Sequence, residues 1–367
     1  MQPDHPPFLS LCLLGAALCG APLAAAGEWS ASGGIVAIQQ ASGDARIADE
    51  FSASADLVLT RSTGANAWNV YFEANTSPRA GGVAGILPEA NGDAGSALDT
   101  NRKGRVQLSG LDYRYALSPN RTLTGGLVDV SGHFDQSRIA SDENTQFLGV
   151  SFTGNPSIEF PDYTLGLVYE HVIDNGPVLR AAVASSNGLA DNPQRSYAQL
   201  VDLDADDKGV FAIASATWKA SDWLLRGGAW VHTANHDALD GGGGGHHNYG
   251  AYLLAGHQRA AHAFNLRLGL AHDRVSRAAG FAGLSYRYRQ GPVALGIGAA
   301  RIFLSPDEPD PTLADTRQAE LFLRHDLGNG RFITADLQRI VNGNFETSGL
   351  IHDRRVLVYG LRLTQLF

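Results

Sequence analysis

VLVYGLRLTQLF, residues 356–367, decides how the rest of the chain is read. Tyr359, Leu361, Leu363 and Phe367 fall on one face, and Val358, Gly360, Arg362 and Thr364 on the other. That period of two marks a β-strand rather than a helix. One face is apolar and the other carries a charge. The segment stops on an aromatic ring, where a soluble domain usually trails into a polar, poorly ordered tail.

The opposite end points to export. FLSLCLLGAALCGAPLAAA (8–26) is apolar and uncharged and closes on Ala24-Ala25-Ala26, the small-residue pattern of a cleaved secretory signal. The residues before it depart from type, with no Lys or Arg. Leu11 and Leu18 precede Cys12 and Cys19, where a lipoprotein site would place small residues. Cleavage after Ala26 leaves residues 27–367, a single domain of 367 − 26 = 341 residues. Both cysteines leave with the signal, which excludes disulfides and thiolate chemistry from the remainder. Asp4 leaves too, so the formal charge becomes 28 − 36 = −8, and a general nucleic-acid binder is not expected. After residue 26 no apolar run reaches the roughly 18 residues of a membrane helix.

Alternation recurs along the chain. Trp68, Val70 and Phe72 alternate with Asn69, Tyr71 and Glu73; Phe264, Leu266, Leu268 and Leu270 with Asn265, Arg267 and Gly269; Ala319, Leu321 and Leu323 with Gln318, Glu320 and Arg324. Breaker residues divide the chain into strands over 28–40, 50–61, 67–75, 105–117, 122–131, 164–173, 177–186, 208–219, 223–234, 248–258, 263–274, 280–290, 292–302, 316–326, 331–341 and 354–367. Even-numbered strands are followed by short Gly-, Asn-, Asp- or Pro-bearing turns, as tight hairpins require. Most odd-numbered ones are followed by longer polar or glycine-rich loops, the longest being 76–104, 132–163, 187–207, 235–247 and 342–353. Short turns at one end and long loops at the other are the layout of an outer-membrane barrel. The expected fold is therefore all-β: a transmembrane antiparallel β-barrel of about 16 strands, with short periplasmic turns and long outer loops. A soluble exported sandwich or propeller also alternates, but turns its polar face to water. In the barrel reading the last strand closes the sheet, Phe367 sits at the periplasmic interface, and Gln365 is an unexpected polar residue on the outward face.

A barrel of this size is wide enough for an aqueous channel, so function is read from the inward face. Alternation turns Arg114, Arg180, Arg226, Arg267, Arg287, Arg324 and Arg362 inward, with Glu73, Glu170, Glu320, Asp336, Gln338, Tyr71 and Trp230. Strand 105–117 changes phase near Ser109-Gly110, as a bulge would cause. Such a wall suits water alone, but guanidinium and carboxylate groups also bind paired sugar hydroxyls, and aromatic rings stack on sugar C–H faces. An arginine surplus would alternatively attract anions. The connection 132–163 carries Asp135, Arg138, Asp142, Glu143 and Glu159 together with Phe134, Phe147, Phe152 and Phe160. Four phenylalanines suit a loop packed inside the barrel, presenting Asp135, Arg138, Asp142 and Glu143 at a constriction; an ordinary surface loop is the alternative.

Three stretches resemble the carbohydrate-selective porin family of Gram-negative outer membranes. They are FDQSRIASDENTQFLGVSFTGNPSIEFP (134–161), FITADLQRIVNGN (332–344) and VLVYGLRLTQLF. The resemblance rests on Phe134, Asp135, Ser137, Phe147, Leu148, Asn155, Pro156, Phe160 and Pro161, on Asp336, Leu337, Gln338 and Asn342, and on Gly360, Leu361, Arg362, Leu363 and Phe367. The chain looks short for the family. The resemblance implies passive uptake of small neutral sugars through a sixteen-stranded barrel in the outer membrane. The partners expected are small sugars, the lipid bilayer with its lipopolysaccharide, and the assembly machinery that reads a terminal Phe. Porins commonly form homotrimers, but no segment marks an interface.

Other signals lead elsewhere or nowhere. DLDADD (202–207) has Asp207 where a calcium-binding EF-hand needs Gly, and Ile213 where it needs Glu; divalent binding by an acidic outer loop is the weaker remaining reading. HTANHDALDGGGGGHH (232–247) holds His232, His236, His246 and His247, but a transition-metal site needs convergent ligands, and the glycine run reads as a flexible loop. There is no G-x-S-x-G: GLSYR (283–287) breaks it at Arg287. No enzyme activity, cofactor or metal is expected. The sequence thus points to a sugar channel, with a general or anion-preferring channel as the nearest alternative and a non-pore exported structural or adhesive β-protein as another class.

Overall fold

The computed structural model describes residues 29–93, 104–192, 194–203, 207–343 and 355–367. The expected signal (1–26), most of 342–353 and the centre of DLDADD lie outside them. Sixteen strands form one closed antiparallel sheet: β1 (Trp29–Ser42), β2 (Glu50–Thr63), β3 (Asn66–Asn75), β4 (Arg105–Ser118), β5 (Arg121–Val128), β6 (Thr164–Val172), β7 (Val178–Ser185), β8 (Val210–Ala220), β9 (Trp223–His236), β10 (His246–Arg259), β11 (His262–Ala271), β12 (Ala278–Gln290), β13 (Val293–Leu304), β14 (Thr316–Gly328), β15 (Arg331–Val341) and β16 (Arg355–Leu366). Each pairs with its sequence neighbours, and β1 pairs with β16 from Gly34↔Leu366 to Ser42↔Val358, which closes the barrel. Two expected strands end early. The fifth stops at Val128 because Val130–Phe134 turns helical, and the eleventh stops at Ala271.

The short connections reverse the chain with left-handed residues: Gly64, Asn175, Ser221, Ala260, Gly291 and Asn329 all have φ between 48° and 61°. Outward side chains are exposed and apolar, as on β13 with Leu295 and Ile297 and on β16 with Leu361 and Leu363. Trp29, Trp68, Tyr115, Trp218, Trp223, Phe264 and Phe367 stand outward near the short-turn end. An aromatic girdle at a membrane interface has this composition. Gln365 has a local explanation: its amide donates to the Asn329 and Leu366 carbonyls, at 3.0 and 2.6 Å, and so serves the adjacent turn.

The expected phase change in β4 is present. Tyr71 pairs with Gly110 and Phe72 with Leu108, which leaves Ser109 as the extra residue. Tyr197, from the β7–β8 loop, accepts from the Leu108 amide (3.1 Å) and donates to the Leu108 carbonyl (2.9 Å) through its hydroxyl. The same loop packs Leu200 against Leu127 and Leu165 on the outer wall.

The inner wall departs from the polar face expected of it. Phe211, Ile213, Trp230, Phe281, Ile302, Phe322, Val36, Ile38, Val356 and Val358 all turn inward and are buried. They are not wetted, because two long loops fold back into the barrel and cover them. The β3–β4 connection lays Val83, Leu87 and Ala90 on Ile340, Val356 and Val358. The β5–β6 connection covers the rest.

Candidate functional site

The β5–β6 loop, residues 129–163, sits on three apolar patches of the inner wall. Val130, Phe134 and Ile158 join Val168, Phe211, Ile213, Trp230 and Tyr252. Ala140, Phe147 and Phe152 join Phe281, Ala300, Ile302 and Phe322. Leu148 meets Val36 and Ile38. Phe160 packs at the margin of the first patch, 5.6 Å from Phe211. Burying a phenylalanine side chain contributes about 1.5–3 kcal/mol, so Phe134, Phe147 and Phe152 give this loop a small core of its own. Room for it is made in the wall. A Cβ on Gly298 would lie 2.6 Å from the Phe152 ring.

The polar half of the contact is made by arginine. Six inward arginines on six strands each donate to a backbone carbonyl of this loop: Arg180 to His133, Arg226 to Phe134, Arg267 to Phe152, Arg287 to Arg138, Arg324 to Thr145, and Arg362 to Gln146. Arg267 is the most engaged. Its Nε lies 3.1 Å from Asp135 Oδ1, and it reaches the carbonyls of Asp135 and Thr153 and the Ser141 hydroxyl as well. Arg362 also reaches the Glu143 carbonyl and lies 3.6 Å from Asp336. The wall accepts in return: Glu320 takes the amides of Leu148 (2.7 Å) and Gly149 (2.8 Å). Gln318 and Gln338 bind the other inward loop at the Glu89 and Ala90 carbonyls.

The residues expected to line the channel therefore separate into two groups. Asp135, Arg226, Trp230, Arg267, Glu320, Arg324, Asp336, Gln338 and Arg362 are inward but buried, Arg267 to 1% and Arg362 to 0% exposure. A planar ring offered to a sugar must show a face, and Trp230, 3% exposed, is covered by the loop and Phe211 instead. Asp142, Glu143, Arg180 and Arg287 remain half-buried along the loop edge, and Arg138 is exposed there. Arg114 turns inward beyond the bulge, is exposed, and makes no such bond to the loop. Burial first, then the carboxylates of Asp93, Asp142 and Asp56, push the Glu143 carboxyl up to about 8.

Sequence reading missed two parts of this site. Asp56 and Tyr71 meet at 2.8 Å on the inner face, with Asn144 of the loop 3.4 Å from Asp56. The β3–β4 loop was read only as a long outer loop; its apolar Val83-Ala84-Gly85-Ile86-Leu87 run was the available signal that it folds inward. Toward the short-turn end, a cavity of about 400 Å³ is lined by Gln136, Arg138, Arg180, Thr217, Lys219 and Arg226. A neighbouring cavity of about 380 Å³ shares Arg138 and Lys219 with it.

No protein-family model and no characterised sequence matches the chain. Solved structures do. The high-pH structure of Pseudomonas putida OprB superposes with a TM-score of 0.71 at 12% identity, over 93% of this chain and 94% of that one. A Rhodopseudomonas blastica porin mutant gives 0.56 at 14% identity, over 92% and 100%. A loop-deletion mutant of Vibrio cholerae OmpT, an outer membrane protein, gives 0.56 at 11%, over 94% and 100%. The fold of this chain is thus that of the outer-membrane porins.

Proposed function

We propose that the chain is an outer-membrane channel for passive diffusion of small hydrophilic solutes, and that neutral sugars are its preferred cargo. The observation that carries this reading is the loop 129–163 held across the interior by six wall arginines. A narrowing fixed at that many points keeps its shape while solutes pass. The loop edge offers guanidinium groups from exposed Arg138 and half-buried Arg180 and Arg287, and carboxyls from half-buried Asp142 and Glu143. Both kinds bind vicinal hydroxyls through paired hydrogen bonds. Contacts must be few and weak, since a tight site would stop the flow. The resemblance to carbohydrate-selective porins supports the sugar preference. An anion-preferring channel needs accessible cations, and four of the wall arginines are buried under the loop, so the arginine surplus argues less for anions than its number suggests.

The test is single-channel conductance of the purified protein in a planar bilayer, titrated with glucose, maltose and a neutral non-sugar of equal size. Saturable block by sugar alone, weakened in an Arg138→Ala, Glu143→Gln double variant, is the expected result. Current that no sugar alters would make this a general diffusion porin. Failure to insert would overturn the channel itself.

A further inference from the structure

Glu159, next to Phe160 in the loop, meets two histidines that the sequence kept 73 and 77 residues away. His236 Nε2 lies 3.0 and 3.1 Å from the two Glu159 oxygens, and His232 Nε2 lies 4.0 Å from the nearer one. The two imidazoles meet edge to face with centroids 5.0 Å apart, and one ligand atom from each of the three residues falls within 4.8 Å of the others. A tetrahedral ion with bonds of 2.0–2.2 Å would set its ligands roughly 3.3 Å apart, so small side-chain rotations complete the geometry.

Two further features suit a ligand set. His236 Nδ1 lies 2.9 Å from the Ala234 carbonyl, which can only accept, so Nδ1 carries a proton and Nε2 faces the carboxylate. A metal-binding histidine is oriented by such a bond at its other nitrogen. Asn248, buried, donates to Glu159 at 2.7 Å and so fixes the carboxylate from the far side. His232 differs from His236: its Nδ1 finds no partner in the protein, so no hydrogen bond at that nitrogen fixes the tautomer of this ring.

We propose that Glu159, His232 and His236 form a binding site for a divalent transition-metal ion of the zinc class at the outer end of β9. Two imidazole nitrogens and one carboxylate with a fourth position open suit that class, whereas calcium or magnesium would require oxygen ligands. Glu159 is the exposed member, so ions enter from the long-loop side. Binding replaces the Nε2 proton of His236 and ties the returning limb of the loop to β9. This assignment does not depend on the solute the channel carries.

The experiment is Co²⁺ titration of the purified full-length protein in detergent, followed by its visible absorption, with Zn²⁺ as competitor. One equivalent of Co²⁺ should give a tetrahedral-type band that Zn²⁺ abolishes. Glu159→Gln, His232→Gln and His236→Gln should each weaken binding at least tenfold, while His325→Gln, on the far β14, should leave it unchanged. Heat-modifiable migration on gels verifies that each variant is a folded barrel. Absence of saturable binding in the folded wild type, or unchanged binding in a folded His232→Gln, His236→Gln double variant, would overturn the site.

Discussion

Arg267 and Arg287 look alike in sequence, since both are inward arginines on neighbouring strands, yet the structure gives them different work. Arg267 is buried against Asp135 and several loop carbonyls. Arg287 is half-exposed and makes one long bond, 3.3 Å, to the Arg138 carbonyl. Removing one partner of a buried pair strands the other charge, at a cost of about 3–5 kcal/mol. Arg267→Ala should therefore lower stability by that order in denaturant titrations and raise conductance as the loop comes free. Arg287→Ala should cost less than about 1 kcal/mol and change ion selectivity instead. Glu143 makes a second prediction at this scale. With its carboxyl at about 8, it is largely neutral at pH 6.5 and ionised at pH 9. Cation preference, read as reversal potential in a salt gradient, should rise across that interval, and Glu143→Gln should flatten the rise.

Among the elements, the strands were legible because period two and breaker residues are local properties, and the face of each arginine followed from them. The bulge at Ser109 was legible for the same reason, as a break in phase. What each inward side chain touches was not, because burial of Arg362 or Trp230 depends on a loop remote from either in sequence. Four phenylalanines in one connection were the clearer sign that something would cover the wall. The β3–β4 loop, whose apolar side chains are aliphatic and set among polar residues, read as a long outer loop. Gly298 shows how strand and loop are matched. Filling its socket by Gly298→Leu should displace Phe152 and the loop with it. Faster protease cleavage within 140–155, in a barrel that still migrates as folded, is the expected readout; unchanged cleavage would mean that the socket does not hold the loop.

For the molecule as a whole, the decisive property is which face meets lipid. Ile297 stands outward in the middle of β13, 54% exposed, with Leu295 beside it. A charge there costs about 2–4 kcal/mol at a bilayer midplane and little in water. Ile297→Arg should reduce folding stability in lipid vesicles by that amount, whereas an inward replacement of similar size at exposed Arg114 should not. A soluble barrel would tolerate both.

All six arginines bind the loop at carbonyl oxygens, which every amino acid possesses, and Arg267 adds the Asp135 and Ser141 side chains. Recognition at the carbonyls is indifferent to what the loop's side chains are. The frame can therefore keep its grip while Arg138 and Glu143 are exchanged for other residues. Such a barrel can acquire a new diet by rewriting a few loop codons, without re-solving the problem of folding.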